Sequence, residues 1–263
     1  MNRDERRQVA VENEQYYRAH PELKPAAAVV TPSELPPLGP ASSPVATAVT
    51  VEARSVVEVM TREARRRPDG PDGRVGVMVF ASATKPGGGW RNGSLAQEEA
   101  ISYASLLPFS LESVDTEFYA PSRTDKNSYF YTSRGVYSPA VPIIRDDAGR
   151  WLDDRPRVDF FTVAAPNIGA MKQNLHAVDR PRVATDLRVK MRNTLRAFGE
   201  HGCTTLVLGA FGCGVFANDP TVVAGLWHDL LADPEFGNRY AKVIFAVPDP
   251  GSPNHQAFAH LWS

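Results

Sequence analysis

The chain has 263 residues, with 29 lysines and arginines against 30 aspartates and glutamates, a formal net charge of −1. That balance excludes a broad cationic surface of the kind that tracks nucleic acid through its phosphates, so no direct nucleic-acid binding is expected. The composition, 43% hydrophobic and 22% charged, is that of an ordinary globular protein. No run of about 18 apolar residues offers a membrane span. The charged opening MNRDERRQVAVENEQYY lacks an apolar leader, and two cysteines cannot build a disulfide framework. A cytoplasmic monomer with reduced thiols is the expectation.

Residues 3–20 read as a charged helix with a thin apolar stripe at Val9, Ala10, Tyr16 and Tyr17. Residues 21–45 are rich in Pro, Ala and Ser, and prolines at 32, 36, 37, 40 and 44 forbid a helix interior or a central strand. This stretch is an extended arm, either a linker or a strap across the main domain. Residues 51–66 carry apolar groups at Ala53, Val56, Val57, Met60 and Ala64, a helical spacing. Residues 74–81 form a strand that is apolar on both faces, as buried strands are. A helix is predicted over 94–107, stopped by Pro108, followed by strand-like pieces at 129–132 and 140–144 and a stronger strand at 158–165. Val183, Leu187, Met191, Leu195 and Phe198 define one face of a long helix that Gly202 ends. Residues 204–210 are a further buried strand. Asp219-Pro220 is an N-cap and N1 pair opening a helix to about 232, and a strand at 241–247 and a short helix at 254–262 complete the chain. Strands alternating with helices give the α/β class, a three-layer α/β/α domain with a parallel or mixed sheet. The division expected is 1–50 for the helix and arm and 51–263 for the main domain.

In such sheets ligands bind outside the C-terminal ends of the strands, which singles out 82–93, 166–170, 211–218 and 248–254. The first contains Gly87, Gly88 and Gly89, whose backbone lets a ligand approach closely. Ser94 and Gln97 then read as an S-x-x-Q capping box, placing Glu98 and Glu99 in a first helical turn. Adjacent helical residues diverge by about 100°, so the two carboxylates take different roles. They also suit plain complementation of the helix dipole. The helix end lowers their pKa, while burial and mutual repulsion raise one of them; a general acid needs the second effect, or a substrate phosphate nearby.

In the second loop Gly209, Gly212 and Gly214 surround Cys213 between a strand and a helix. Successive N–H groups in such a turn make an anion nest, although a tight strand-to-helix turn explains the same glycines. Phe216 either packs inward or covers a sugar or base. Two glycine loops at neighbouring exits suit a ligand with a diphosphate between two sugars. Residues 166–170 and 248–254, at the other two exits, remain candidate ligand loops. The chain has no G-x-x-x-x-G-K-[ST], no H-E-x-x-H and no G-x-S-x-G, and its six histidines lack metal-ligand spacing. No metal and no cofactor are expected.

These residues resemble a known family. Gly87–Gly89 followed after seven residues by Gln97-Glu98-Glu99 is similar to the GGG-x(6–8)-QEE signature of poly(ADP-ribose) glycohydrolases. FASATKPGGGW, YTSRGVYSPAVPIIRDD, VDFFTVAAPN and LVLGAFGCGVFANDP resemble the bacterial-type members. The resemblance runs from Val51 to the end, and the first helix is similar to the family's accessory helix. It implies a macrodomain fold, with Glu99 as general acid/base and Glu98 positioning ribose hydroxyls at a ribose–ribose linkage. It further implies that Gly212, Cys213, Gly214, Val215 and Phe216 cradle the diphosphate, with Phe216 covering the distal ribose. Gly87, Gly88 and Gly89 would approach from the other side, and Gln97 and Asn167 join the substrate-binding set. Lys85 stands where the family has an asparagine suited to a ribose hydroxyl; a lysine reaches phosphate or solvent instead. The partners implied are poly(ADP-ribose) on modified proteins and the product ADP-ribose. The rivals are a macrodomain that holds ADP-ribose without cutting it and a hydrolase of mono-ADP-ribosylated proteins.

Overall fold

The structure, a computed structural model, describes residues 1–41, 44–66 and 73–262. Among these, seven strands form one mixed sheet: β1 (Ala28–Val30), β2 (Ala48–Glu52), β3 (Arg74–Phe80), β4 (Gly135–Pro142), β5 (Arg157–Val163), β6 (Cys203–Leu208) and β7 (Lys242–Ala246). Their spatial order is β1-β4-β5-β3-β6-β7-β2. From β5 to β2 every neighbour is parallel, and β4 runs antiparallel to both β5 and β1. Five parallel strands therefore end on one edge of the sheet, where open α/β folds bind ligands.

The helices are α1 (Arg3–Ala19), α2 (Val56–Arg66), α3 (Gln97–Ala104), α4 (Leu107–Glu112), α5 (Ala120–Thr124), α6 (Ile168–Asn174), α7 (Arg180–Glu200), α8 (Pro220–Ala232) and α9 (Pro253–Trp262). One core joins α1 to α4 to the sheet through Val9, Val57, Met60, Ile101, Leu107 and the β3 residues Val77 and Val79. A second core on the other face joins α6 to α9 through Met171, Leu187, Leu195, Trp227 and Phe258. Strand β3 is buried over Val75–Val79 because both cores press on it, which is why its sequence shows no alternation. The α7 stripe from Val183 to Phe198 is buried as its spacing demands. Asp179 and Asp219 cap α7 and α8 by accepting from Arg182 N and Thr221 N.

Helix α1 is bound into this body. The Asn13 side chain, fully buried, donates to Tyr103 O at 2.9 Å and accepts from Arg145 Nε at 2.8 Å. Arg145 also donates to Glu12 and lies 3.5 Å above the Trp151 ring.

Several elements differ from the sequence expectation. The helix expected over 51–66 is a strand, β2, followed by α2, so the division at residue 50 falls inside β2. Val49 and Val51 alternate inward on a strand paired with β7, and that period-2 signal lies just ahead of the helical one. The proline-rich arm is a strap: it contributes β1 at the far edge of the sheet, buries Leu35, and takes Arg196 Nη1 onto Leu35 O. Its residues 42–43 lie outside the described residues. The helix expected over 94–107 is two helices, because Ser105 turns extended (φ −140°, ψ 171°) and bridges Ile143; Pro108 sits in the first turn of α4 instead of ending a helix. The strand-like text at 129–132 belongs to a turn with Asn127, Ser128, Tyr129 and Tyr131 all at positive φ. The strand expected at 140–144 is the longer β4, which crosses Pro139 and Ala140 by a register shift.

Candidate active site

A cleft of ≈ 690 Å³ lies over the strand exits. Its floor is Phe80 and Ala81 at the end of β3, Ala165 after β5, Ala210 and Phe211 after β6, and Ala246, Val247 and Pro248 at the end of β7. One wall is the start of α3 with the start of α1, where Leu95, Glu98 and Glu99 stand near Arg6. The opposite wall is the loop carrying Gly212, Gly214, Val215 and Phe216. The start of α2, at Ser55–Val57, closes the end nearest β2 with Asp146 and Asp147.

The start of α3 is fixed by Gln97. Strand β6 stops pairing with β3 at Val77, which leaves Met78 O and Phe80 N facing no strand on that side. The Gln97 carboxamide takes both: its Nε2 donates to Met78 O at 2.7 Å and its Oε1 accepts from Phe80 N at 2.9 Å. Gln97 therefore continues the ladder as a side chain. It lines the cleft as well, with one donor and one acceptor of its carboxamide engaged by β3. The capping box expected from Ser94 is not formed. Ala96 is the N-cap residue and makes no side-chain cap.

Anchored this way, α3 sends its two acids in different directions. Glu98 is 3% exposed and accepts from Ser82 N at 2.6 Å through Oε2, while its Oε1 has no partner among the described residues. Burial pushes its carboxyl well above the usual carboxylate range; the Ser82 N–H opposes this and the Glu99 charge adds to it. Glu99 is half-buried and accepts from Gly89 N at 2.9 Å.

The glycine loop serves these acids. Gly88 N donates to Lys85 O at 3.0 Å, closing a turn with Pro86 second and Gly87 (φ +69°) third, the pairing a type II turn uses. Gly88 itself has φ +65°, and a methyl group there would collide with Glu99 Oε1 and lie 2.9 Å from Glu98 Oε2. Gly87, Gly88 and Gly89 are not among the residues that line the cleft, and the room left by the missing side chain of Gly88 is taken by the protein's own carboxylates. Lys85 is exposed and outside the lining as well.

The second loop is a nest. Asn218 Nδ2 donates to Pro166 O at 2.9 Å and Gly212 O at 3.0 Å, tying the β5 and β6 exits together. A methyl group on Gly212 (φ +72°) would lie 2.5 Å from that amide, so the tie requires glycine. Within the loop, Cys213 N and Ala217 N are satisfied by Ala210 O and Gly214 O. Among the described residues the N–H groups of Gly212, Gly214, Val215 and Phe216 have no partner. Four free donors beside a cleft make an anion cradle. Cys213 is not among the lining residues, its thiol turns back to Phe211 O, and burial pushes that thiol up to about 12.

Asn167 likewise has another task. It caps α6 by accepting from Ala170 N at 2.9 Å and its Nδ2 donates to the Tyr131 hydroxyl at 3.4 Å. Of the two remaining candidate ligand loops, 248–254 reaches the cleft through Pro248 and Asn254 and 166–170 does not. Arg6 and Ser55–Val57 left no signal in the sequence, and Asp146 and Asp147 lie in a family-like block that assigned them no role; the sheet order brings all of them to the cleft. Tyr103, whose hydroxyl lies 2.7 Å from Trp90 O and 2.8 Å from Ser94 O, could have been sought at the i+4 position from Glu99. Among the described residues no group of three or more His, Cys, Asp or Glu side chains could hold a metal ion.

The microbial-type PARG (poly(ADP-ribose) glycohydrolase) catalytic domain matches residues 4–146. The solved poly(ADP-ribose) glycohydrolase of Thermomonospora curvata is 35% identical, with TM-score 0.89 over 98% of this chain and 99% of that chain. Bound to the inhibitor ADP-HPD, that enzyme matches at 34% identity and TM-score 0.87, with the same coverage. The Deinococcus radiodurans enzyme in complex with ADP-ribose is 34% identical, with TM-score 0.77 over 89% of this chain and 92% of that chain. No curated protein sequence matches the chain.

Proposed function

The chain belongs to the microbial-type poly(ADP-ribose) glycohydrolase family, a glycosidase family, and on that premise we propose that it releases ADP-ribose from the ends of the polymer through Glu99. The observation that carries this reading is the convergence of Glu99 and four free N–H groups on one cleft.

The order of the sheet supports one placement of the substrate. Glu98 and Glu99 stand at the β3 exit, the nest follows β6, and the apolar end over β7 and β2 is made by Val56, Val57, Val247 and Pro248. A terminal ADP-ribose unit fits along it with its distal ribose between Glu99 and Phe216, its diphosphate on the nest and its adenosine at the far end. The free Oε1 of Glu98, on a carboxyl that burial pushes toward the protonated form, is placed to hydrogen-bond a ribose hydroxyl. Glu99 gives its proton to the 2′ oxygen as the bond from that oxygen to the ribose anomeric carbon breaks through an oxocarbenium-like transition state. Its carboxylate then takes a proton from water as the water oxygen bonds to the same carbon, restoring the acid. The fixed N–H groups act as preorganised charge stabilisation.

The reading places the enzyme on poly(ADP-ribose) carried by modified proteins, as a monomer in the reducing cytoplasm; that both cysteines are free thiols supports the last point. Product analysis on long polymer tests it. ADP-ribose monomers are expected from the first turnovers; early release of oligomers, or activity on mono-ADP-ribosylated protein alone, would contradict it.

A further inference from the structure

Beside the cleft lies a turn whose backbone is costly and whose supports are elaborate. Asn127, Ser128, Tyr129 and Tyr131 have φ of 46°, 53°, 68° and 60°, a region that residues with side chains rarely adopt. Such a conformation persists only where its surroundings over-determine it, and clusters of this kind gather at ligand sites. Here the supports include a fully buried ammonium. Lys190 Nζ donates to Phe130 O at 2.6 Å and pairs with Asp186 at 2.7 Å. Arg182 lies 3.9 Å over the Phe130 ring and donates to Asn127 Oδ1. A buried lysine is an expensive way to hold one carbonyl, and burial drives its ammonium toward the neutral form against the pull of Asp186.

The turn delivers its position to Phe216 by two routes. Directly, the Tyr131 ring packs on Ala81, Ala83 and Ala164 at the β3 and β5 exits, and its centre is 6.2 Å from that of Phe216. Indirectly, Tyr129 O accepts from Asn167 N at 2.9 Å, Asn167 caps α6, and Gly169 N in that helix donates to Phe216 O at 3.3 Å. Ring and backbone of Phe216 are thus both referred to the same strained turn.

We propose that Tyr131, held by the Lys190–Phe130 clamp, is a positioning residue that sets Phe216 over the distal ribose and so decides how tightly that sugar, and not the rest of the ligand, is gripped. The proposal rests on the functional reading above, in which Phe216 covers the distal ribose. It gives Asn167 a role in the site although Asn167 lies outside the cleft lining.

The test compares ADP-ribose with ADP, which lacks the distal ribose, as ligands of Tyr131→Ala, Tyr131→Phe and Lys190→Met, with polymer turnover measured alongside. In Tyr131→Ala and Lys190→Met the affinity for ADP-ribose is expected to fall about tenfold, as loss of an aromatic contact implies, with KM for polymer raised in step. Affinity for ADP should stay within about twofold, and Tyr131→Phe, which keeps the ring, should restore ADP-ribose binding. Wild-type ADP-ribose affinity in Tyr131→Ala overturns the proposal. So does an equal loss for both ligands, the mark of a general structural role. If Lys190→Met does not fold, Tyr131→Ala and Tyr131→Phe decide the matter alone. Failure of the wild type to bind ADP-ribose would instead overturn the functional reading.

Discussion

At the scale of single residues, the site separates two adjacent glutamates by burial. Both line the cleft, but Glu98 is 3% exposed and accepts from Ser82 N, whereas Glu99 is only half-buried. The sequence supports the statement that two neighbouring acids on a helix differ in role, since their directions diverge by about 100°. It does not say which is raised, because that depends on the Ser82 N–H and on the walls around Glu98, which come from other segments. The raised carboxyl makes a pH prediction. A carboxyl that holds its proton to higher pH when folded than when unfolded costs nothing below about 4.5, where both states are protonated. As pH rises from there the unfolded chain ionises first and stability falls, until the folded-state value is passed. Glu98→Gln keeps an oxygen for Ser82 N–H and removes the ionisation. Its melting temperature should match or trail the wild type near pH 4 and gain on it steadily toward pH 8. A gap that does not change with pH would mean that Glu98 is ionised in the folded protein.

At the scale of elements, the strands and the long helix were legible because their signal is internal. The α7 stripe and the apolar run of β3 depend only on their own residues. Starts and breaks set by partners were not legible. The text at 94–97 has the form of a capping box, yet Gln97 serves two backbone groups of β3, a competition visible only once β6 is known to stop at Val77. Strand β2 was hidden because a short edge strand was read into the helix after it. The glycine triplet was found for its flexibility, and the structure gives it a different use, as room for Glu98 and Glu99. The Gln97 link makes the element-scale prediction. Gln97→Leu strands Met78 O and Phe80 N and should cost about 2–6 kcal/mol in urea unfolding, at roughly 1–3 kcal/mol per unsatisfied group. An unchanged midpoint would show that the ladder does not need that carboxamide.

At the scale of the whole molecule, near-neutral charge at first excludes polyanions as partners, yet the substrate is one. The geometry reconciles the two. In the proposed binding mode four N–H groups of one loop take one diphosphate, and most arginines are paired with carboxylates across the surface, as Arg65 is with Asp154 and Arg91 with Glu14 and Glu112. Recognition of a single terminal unit needs no cationic track. The slope of log affinity for polymer against log salt should therefore have a magnitude of about 2 or less; a slope near 6 would demand many phosphate contacts. The sheet order, which no local pattern encodes, is also what brings α1 and α2 to the cleft, so Arg6 and Ser55 could not be found from the sequence.

All three scales meet at Glu99, placed by the Gln97 clamp, given room by Gly88 and set opposite the nest. The most direct measurement is ADP-ribose release from poly(ADP-ribose) by the wild type and by Glu99→Gln, with ADP-ribose affinity determined for both. The account predicts an active wild type, a loss of about 10²–10⁴-fold in the variant, as removal of a positioned general acid/base implies, and affinity retained within a few-fold. An inactive wild type, or a variant that cleaves as fast as the wild type, would contradict it.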